Sequence, residues 1–129
     1  MSKKTRRDIP RFNTPIIETH CHLDYLDQAE LALTMEKSLA VGVERIITIA
    51  VSAENLHRVM ELANSSQYIW GTQGIHPHEA GSYNPQVDAI IRTHAADERI
   101  VAIGEIGLDY YYDHADRTVQ RKAFEQQLQ

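Results

Sequence analysis

The chain has 129 residues, of which 43% are hydrophobic and 24% are charged, as in an ordinary soluble globular domain. Thirteen Lys and Arg against eighteen Asp and Glu give a net charge of −5, which argues against broad electrostatic binding of nucleic acid. A nucleic-acid substrate is still possible, because bound divalent ions add positive charge where it is needed.

The sequence also indicates the compartment. Cys21 is the only cysteine, so no internal disulfide can form and a reducing compartment is favoured. No apolar stretch approaches the ~20 residues of a membrane span. The Arg6-Arg7 pair lies in a basic segment, residues 1–13, but no apolar segment follows it as in an export signal. We therefore predict a cytoplasmic protein with a flexible basic tail at residues 1–13 and no membrane partner.

The first half of the chain alternates strand and helix patterns. A β-branched run starts at Ile16 and ends in His20-Cys21-His22. Apolar residues at helical spacing predict a helix over 28–40, and residues 45–51 read as a strand covered on both faces. Ser52 is predicted to cap a second helix, whose inner face is formed by Leu56, Val59, Met60 and Ala63.

The second half repeats this alternation. Residues 68–74 are predicted to form a third strand, followed by Ile75-His76-Pro77-His78. Asn84 and Pro85 are typical of a helix start. Residues 100–105 form the fourth predicted strand and end at Glu105. The last helical pattern has an expected inner face of Val119, Ala123, Phe124 and Leu128.

The order βαβαβαβα predicts an α/β fold with a parallel sheet. Functional side chains of such sheets collect at the carboxyl ends of the strands. His20 and His22 end the first strand, His76 and His78 follow the third, and Glu105 ends the fourth. In an extended strand His20 and His22 project from the same side, whereas Cys21 points away and is expected to be a small buried residue. We therefore expect potential ligands from three strands at one edge.

Two imidazoles and a carboxylate suit Zn²⁺, Mn²⁺ or Fe²⁺ and can leave positions open for water or substrate. Such a centre favours hydrolysis. The alternative for Glu105 is an ion pair with an arginine. His76 and His78 fit contact with an anionic substrate or, equally, a solvated polar loop. Three consecutive tyrosines follow Asp109: Tyr110, Tyr111 and Tyr112. They could stack on bases or bind phosphate, although packing within a loop is the more common role of such residues.

Three segments resemble signatures of the TatD family of metal-dependent deoxyribonucleases: ETHCHLD, GIHPH and VAIGEIGLDYY. The resemblance covers about residues 14–129. It implies a TIM barrel with a divalent metal centre, often of two ions (Mg²⁺, Mn²⁺ or Zn²⁺), and DNA as substrate, cleaved exonucleolytically. By this resemblance His20 and His22 bind one ion, Glu105 bridges to the second, and His76, His78 and Tyr110 contact substrate. Glu18 stands where many members have aspartate.

The family pattern continues with further metal-binding histidines and a late catalytic aspartate, which the 129 residues lack. A TIM barrel needs eight strands, and four are predicted here. We therefore expect residues 14–129 to be the amino-terminal half of a barrel, with an exposed face through which the chain could self-associate. Two alternatives stay open: an inactive, truncated remnant that binds at most one metal ion, and an amide or ester hydrolase on a related barrel.

Overall fold

The computed structural model describes residues 5–129 and shows four strands alternating with four α-helices. Residues 5–15 contain no helix or strand, and Lys3 and Lys4 of the predicted tail lie outside the described residues. No helix in the described part is long and apolar enough to cross a membrane. The strands are β1 (Ile16–Cys21), β2 (Val43–Thr48), β3 (Ile69–Gln73) and β4 (Ile100–Ile103); the helices are α1 (Gln28–Ala40), α2 (Leu56–Ser65), α3 (Pro85–Ala95) and α4 (Arg117–Gln127).

The four strands form one parallel sheet in the order β1-β2-β3-β4, so the predicted α/β topology is confirmed. Hydrogen bonds with nearby side chains cap the first turns of two helices. Asp27 and Glu30 form a reciprocal capping box at the start of α1, and the Asn84 side chain accepts a hydrogen bond from the Val87 N–H at the start of α3. Two short 3₁₀ helices, Leu23–Tyr25 and Pro77–Ser82, lie at the carboxyl end of the sheet.

The core lies between the sheet and the helices. Leu56, Val59 and Ile91 pack with residues at the strand ends, and Leu62 packs with Ile46 and Ile69 of neighbouring strands. The other face of the sheet is open: Ile17 and Val101 on the two edge strands are each 50% exposed. The sheet thus has one covered face and one uncovered face.

The start of α2 and the ends of two strands differ from the prediction. Ser52 does not cap α2, which begins at Leu56. The Asn55 side chain instead accepts hydrogen bonds from the Val51 and Ser52 N–H groups and holds them in a loop. Strand β2 stops at Thr48 and β4 stops at Ile103, because the chain then leaves the ladder to form the site described below.

The predicted inner face of α4 is partly wrong. Ala123 is buried as expected, but Val119 is 39% and Leu128 63% exposed. Two glutamines are buried instead. Gln120 accepts from the Asp109 N–H and donates to the Asp109 carbonyl, and Gln127 does the same with the backbone of Ile75. Helix α4 packs through these polar bonds because they satisfy loop groups that no strand pairs.

We expect Gln127→Ala to lower the free energy of unfolding by about 1–3 kcal/mol, because it leaves the buried N–H and C=O of Ile75 without partners. Urea denaturation measures this change. Gln126→Ala is the matched control, because Gln126 is exposed on the same helix. Equal destabilisation by the two variants would contradict the role assigned to Gln127.

Candidate metal centre

His20, in β1, and His22, the first residue after β1, lie side by side. Their ring centroids are 5.3 Å apart at an interplanar angle of 84°. The end of β1 is hydrogen-bonded to the end of β2. The Ile49 N–H donates to the Cys21 carbonyl, and the Leu23 N–H donates to the buried Thr48 hydroxyl. These bonds fix the backbone on both sides of His22.

Glu105 reaches the histidines because the chain after β4 crosses the carboxyl ends of β3 and β2. The Gly104 N–H donates to the Gln73 carbonyl at 2.9 Å, and the Glu105 N–H donates to the Ala50 carbonyl at 2.9 Å. The Thr72 hydroxyl fastens this crossing, because it accepts from the Ala50 N–H at 3.1 Å and donates to the Gly104 carbonyl at 2.6 Å.

The crossing also needs a glycine at position 74. A Cβ added to Gly74 would lie 2.8 Å from the carbonyl carbon and 2.9 Å from the carbonyl oxygen of Gly104. Both are backbone atoms and cannot rotate away. The backbone that carries Glu105 can therefore approach β3 only where a side chain is missing.

One ligand atom from each of His20, His22 and Glu105 lies within 4.8 Å of the others. His20 Nε2 is 3.4 Å from Glu105 Oε2. His22 Nδ1 is buried and has no hydrogen-bond partner in the described part of the chain. Such an atom is expected to have a partner. Two imidazoles and one carboxylate at this spacing fit a divalent ion. Among residues 5–129 the nitrogen groups within ion-pair distance of Glu105 belong to His20 and His76, and no arginine is among them.

His76 lies on the other side of the Glu105 carboxylate, with Nε2 3.4 Å from Oε1. Its Nδ1 accepts a hydrogen bond from the His78 N–H at 3.0 Å, so in the neutral ring the proton is on Nε2, facing Glu105. Burial lowers the pKa of His76, although Glu105 partly opposes this shift. In that tautomer the Nε2–H of His76 lies beside the Glu105 carboxylate, 3.4 Å from Oε1.

His78 forms a close pair with Asp109, and His78 Nε2 is 2.6 Å from Asp109 Oδ2. Asp109 Oδ1 accepts from the N–H groups of Tyr111 and Tyr112, each at 3.1 Å. The hydrogen bond from the Tyr112 backbone, followed by the one from His78, lowers the pKa of Asp109. Because the carboxylate is ionised, His78 Nε2 carries the proton of this pair.

The three-ligand cluster and the His78–Asp109 pair meet at an open cavity of about 280 Å³. Its lining includes His22, Glu105, His76, His78 and Tyr25. The Tyr25 ring stacks on His22 with centroids 5.2 Å apart and is 72% exposed.

Of the three residues predicted to contact substrate, His76, His78 and Tyr110, only the two histidines line this cavity. The Arg117 guanidinium lies 4.7 Å above the Tyr110 ring. Tyr112 and His114 instead lie against His78, with centroids 5.9 and 4.5 Å away.

Sequence reasoning missed several residues that build this site: Tyr25, Thr48, Thr72, Asp109, Gln120 and Gln127. Each threonine is a polar residue near the carboxyl end of a largely apolar strand, Thr48 at the last position of β2 and Thr72 one position before the end of β3, which is a usable signal. Asp109 lies within the motif VAIGEIGLDYY, but its partner His78 is 31 positions away in the sequence. No local pattern could have identified that pair.

Comparison with known proteins identifies the family. Residues 17–129 match the family described as TatD related DNase. The chain is 32% identical over 114 residues to the uncharacterized metal-dependent hydrolase YabD of Bacillus subtilis, covering 88% of this chain and 45% of that protein. It is 33% identical over 92 residues to the 3'-5' ssDNA/RNA exonuclease TatD of Cronobacter sakazakii, covering 71% of this chain and 35% of that protein.

The crystal structure of YJJV, a TatD homolog from Escherichia coli K12, superposes with a TM-score of 0.72 at 31% identity, over 87% of this chain and 44% of that one. The chain thus spans less than half the length of these relatives. It shares the fold of the matched part of the YJJV structure, and it places histidines and a carboxylate at the carboxyl end of its sheet. On this evidence the chain belongs to the family of TatD-related DNases.

Proposed function

We propose that this chain carries part of the active site of a divalent-metal-dependent hydrolase that cleaves DNA phosphodiester bonds from an end of the strand. The main support is the cluster of His20, His22 and Glu105 at the carboxyl edge of the sheet. Further support comes from relatives, since one similar protein is named as an exonuclease of single-stranded DNA and RNA. The net charge of −5 makes metal ions the natural source of positive charge beside a polyanion.

The residues have separate tasks in this proposal. His20 and His22 would hold one divalent ion, and Glu105 would contribute its carboxylate to that ion and to a second. Each Glu105 oxygen faces a different histidine, because Oε2 is near His20 and Oε1 is near His76. The His76 N–H orients the bridging carboxylate. When bound, Mg²⁺, Mn²⁺ or Zn²⁺ supplies an activated water and neutralises charge on the phosphoryl group. His78 and the exposed Tyr25 line the cavity and are proposed to contact substrate there. Tyr110 does not line it and is proposed to contact substrate outside the cavity.

The test is to incubate full-length protein with end-labelled single-stranded DNA and either Mn²⁺ or Mg²⁺. We expect progressive shortening that chelation abolishes and that His20→Ala or Glu105→Ala reduces below detection. His57→Ala is the control, because His57 is exposed on α2 outside the cluster. Turnover of small amide or ester substrates without DNA cleavage would overturn the nuclease proposal in favour of the amide or ester hydrolase.

The isolated 129-residue chain is proposed to bind one ion weakly and to self-associate through the open sheet face that includes Ile17 and Val101. Sedimentation of residues 1–129 tests the second point. We expect concentration-dependent dimers or larger species. A monomer at all concentrations, with a cooperative melting transition, would contradict self-association.

A further inference from the structure

The His78–Asp109 pair has a geometry that metal binding does not explain. It lies outside the three-ligand cluster, yet His78 and Glu105 line the same cavity. At 2.6 Å the hydrogen bond between His78 Nε2 and Asp109 Oδ2 is short. A carboxylate that holds one imidazole nitrogen leaves the other nitrogen for chemistry, as in other histidine–carboxylate pairs.

Backbone and glutamine hydrogen bonds hold the His78–Asp109 pair in place. Asp109 Oδ1 accepts two backbone hydrogen bonds, and both the N–H and the carbonyl of Asp109 are bound by the buried Gln120 of α4. The His78 backbone is fixed in turn by its N–H bond to His76 Nδ1. Fixed side chains of this kind are typical of groups that act on substrate, because a proton donor must be held within hydrogen-bond distance of its target.

We propose that His78 donates a proton to the leaving oxygen of the phosphodiester, with Asp109 as its positioning residue. The inference rests on the proposed function. A water oxygen forms a bond to phosphorus and loses its proton to solvent, while the bond from phosphorus to the leaving oxygen breaks. The electron pair of that bond stays on the leaving oxygen, which takes the Nδ1 proton of a doubly protonated His78 ring and leaves that ring neutral. His78 then regains a proton from solvent and keeps its Nε2–H bond to Asp109.

Substrates that differ only in the leaving group test this role. An oligothymidylate releases a basic alkoxide that needs a proton, whereas thymidine 5'-(p-nitrophenyl phosphate) releases a weakly basic phenolate that does not. For full-length protein, we expect His78→Gln to lower kcat on the oligonucleotide by about 10²–10⁴-fold. On the p-nitrophenyl ester we expect a change of less than about 10-fold. Asp109→Asn is expected to show the same selectivity with a smaller loss, and His57→Gln is the control.

Equal losses on both substrates would overturn the proton-donor role while leaving the hydrolase proposal intact. If the wild-type protein cleaves neither substrate, the proposed function fails and this inference fails with it. A second measurement does not depend on activity. Long-range ¹H–¹⁵N spectra of metal-free residues 1–129 are expected to show His78 protonated at Nε2, with the signal shifted in Asp109→Asn. A neutral His78 protonated only at Nδ1 would contradict the proposal, because Nε2 would then carry no proton for its hydrogen bond to Asp109.

Discussion

Replacing Glu105 with glutamine is expected to weaken Mn²⁺ binding by residues 1–129 by more than about 100-fold. Loss of residues that only support a metal ligand typically costs 10–100-fold in affinity, and Glu105 is itself in the proposed ligand set. The substitution keeps the size of the side chain but removes its negative charge. Two neutral imidazoles, His20 and His22, would then have to hold a dication without a charged ligand. Isothermal titration calorimetry with metal-free protein measures the change.

The matched control for this result is Glu79→Gln. Glu79 is an exposed carboxylate that lines the same cavity but lies outside the three-ligand cluster. Its replacement removes the same charge from the same region, so any general electrostatic effect appears in both variants. We expect less than about a threefold change in affinity for Glu79→Gln. Equal weakening by both variants would show that Mn²⁺ responds to the net charge of the cavity, and the assignment of Glu105 as a ligand would be wrong.

Gly74→Ala is expected to damage both stability and the metal site. The added methyl carbon would lie 2.8–3.0 Å from three backbone atoms of Gly104. Relief of this overlap has to move the chain that carries Glu105 and to stretch the bonds from Gly104 N–H to Gln73 and from Glu105 N–H to Ala50. Overpacking of this kind typically costs about 1–3 kcal/mol. Urea denaturation measures the loss, and calorimetry measures the accompanying fall in Mn²⁺ affinity.

Gly81→Ala separates this steric effect from the loss of a glycine in general. A Cβ added to Gly81 meets nothing within 4 Å, so the variant is expected to be as stable as the wild type or slightly more stable. If Gly74→Ala is as stable as Gly81→Ala and binds Mn²⁺ normally, the close approach of the two backbones does not control the position of Glu105.

Local periodicity accounts for the parts of the fold that the sequence predicted. The strand–helix alternation and the placement of His20, His76 and Glu105 near one edge follow from residue spacing and from the rule on parallel strands. Helix α1 was predicted over its observed range, because its apolar stripe and its stop at Gly42 are both local signals.

The unpredicted parts depend on how the chain crosses between strands. Thr72 bonds to Ala50 and Gly104, which are 22 and 32 positions away in the sequence. The apolar periodicity of α4 suggested burial of Leu128, but Gln127 is buried because an unpaired loop backbone needed a donor and an acceptor. Such partners are set by tertiary structure, and no pattern within a short segment contains them.

The crossing of the chain over the carboxyl ends of β3 and β2 has a mechanical consequence. Strands β1 and β4 are the two edges of the sheet, yet the ligands that follow them lie within 4.8 Å. A divalent ion held by His22 and Glu105 would therefore act as a cross-link between the two edges, closing a loop of roughly 80 residues, and cross-links over long loops restrict the unfolded chain most. Amide hydrogen exchange in β4 is therefore expected to slow when Mn²⁺ is added, since that short edge strand has a neighbour on one side only.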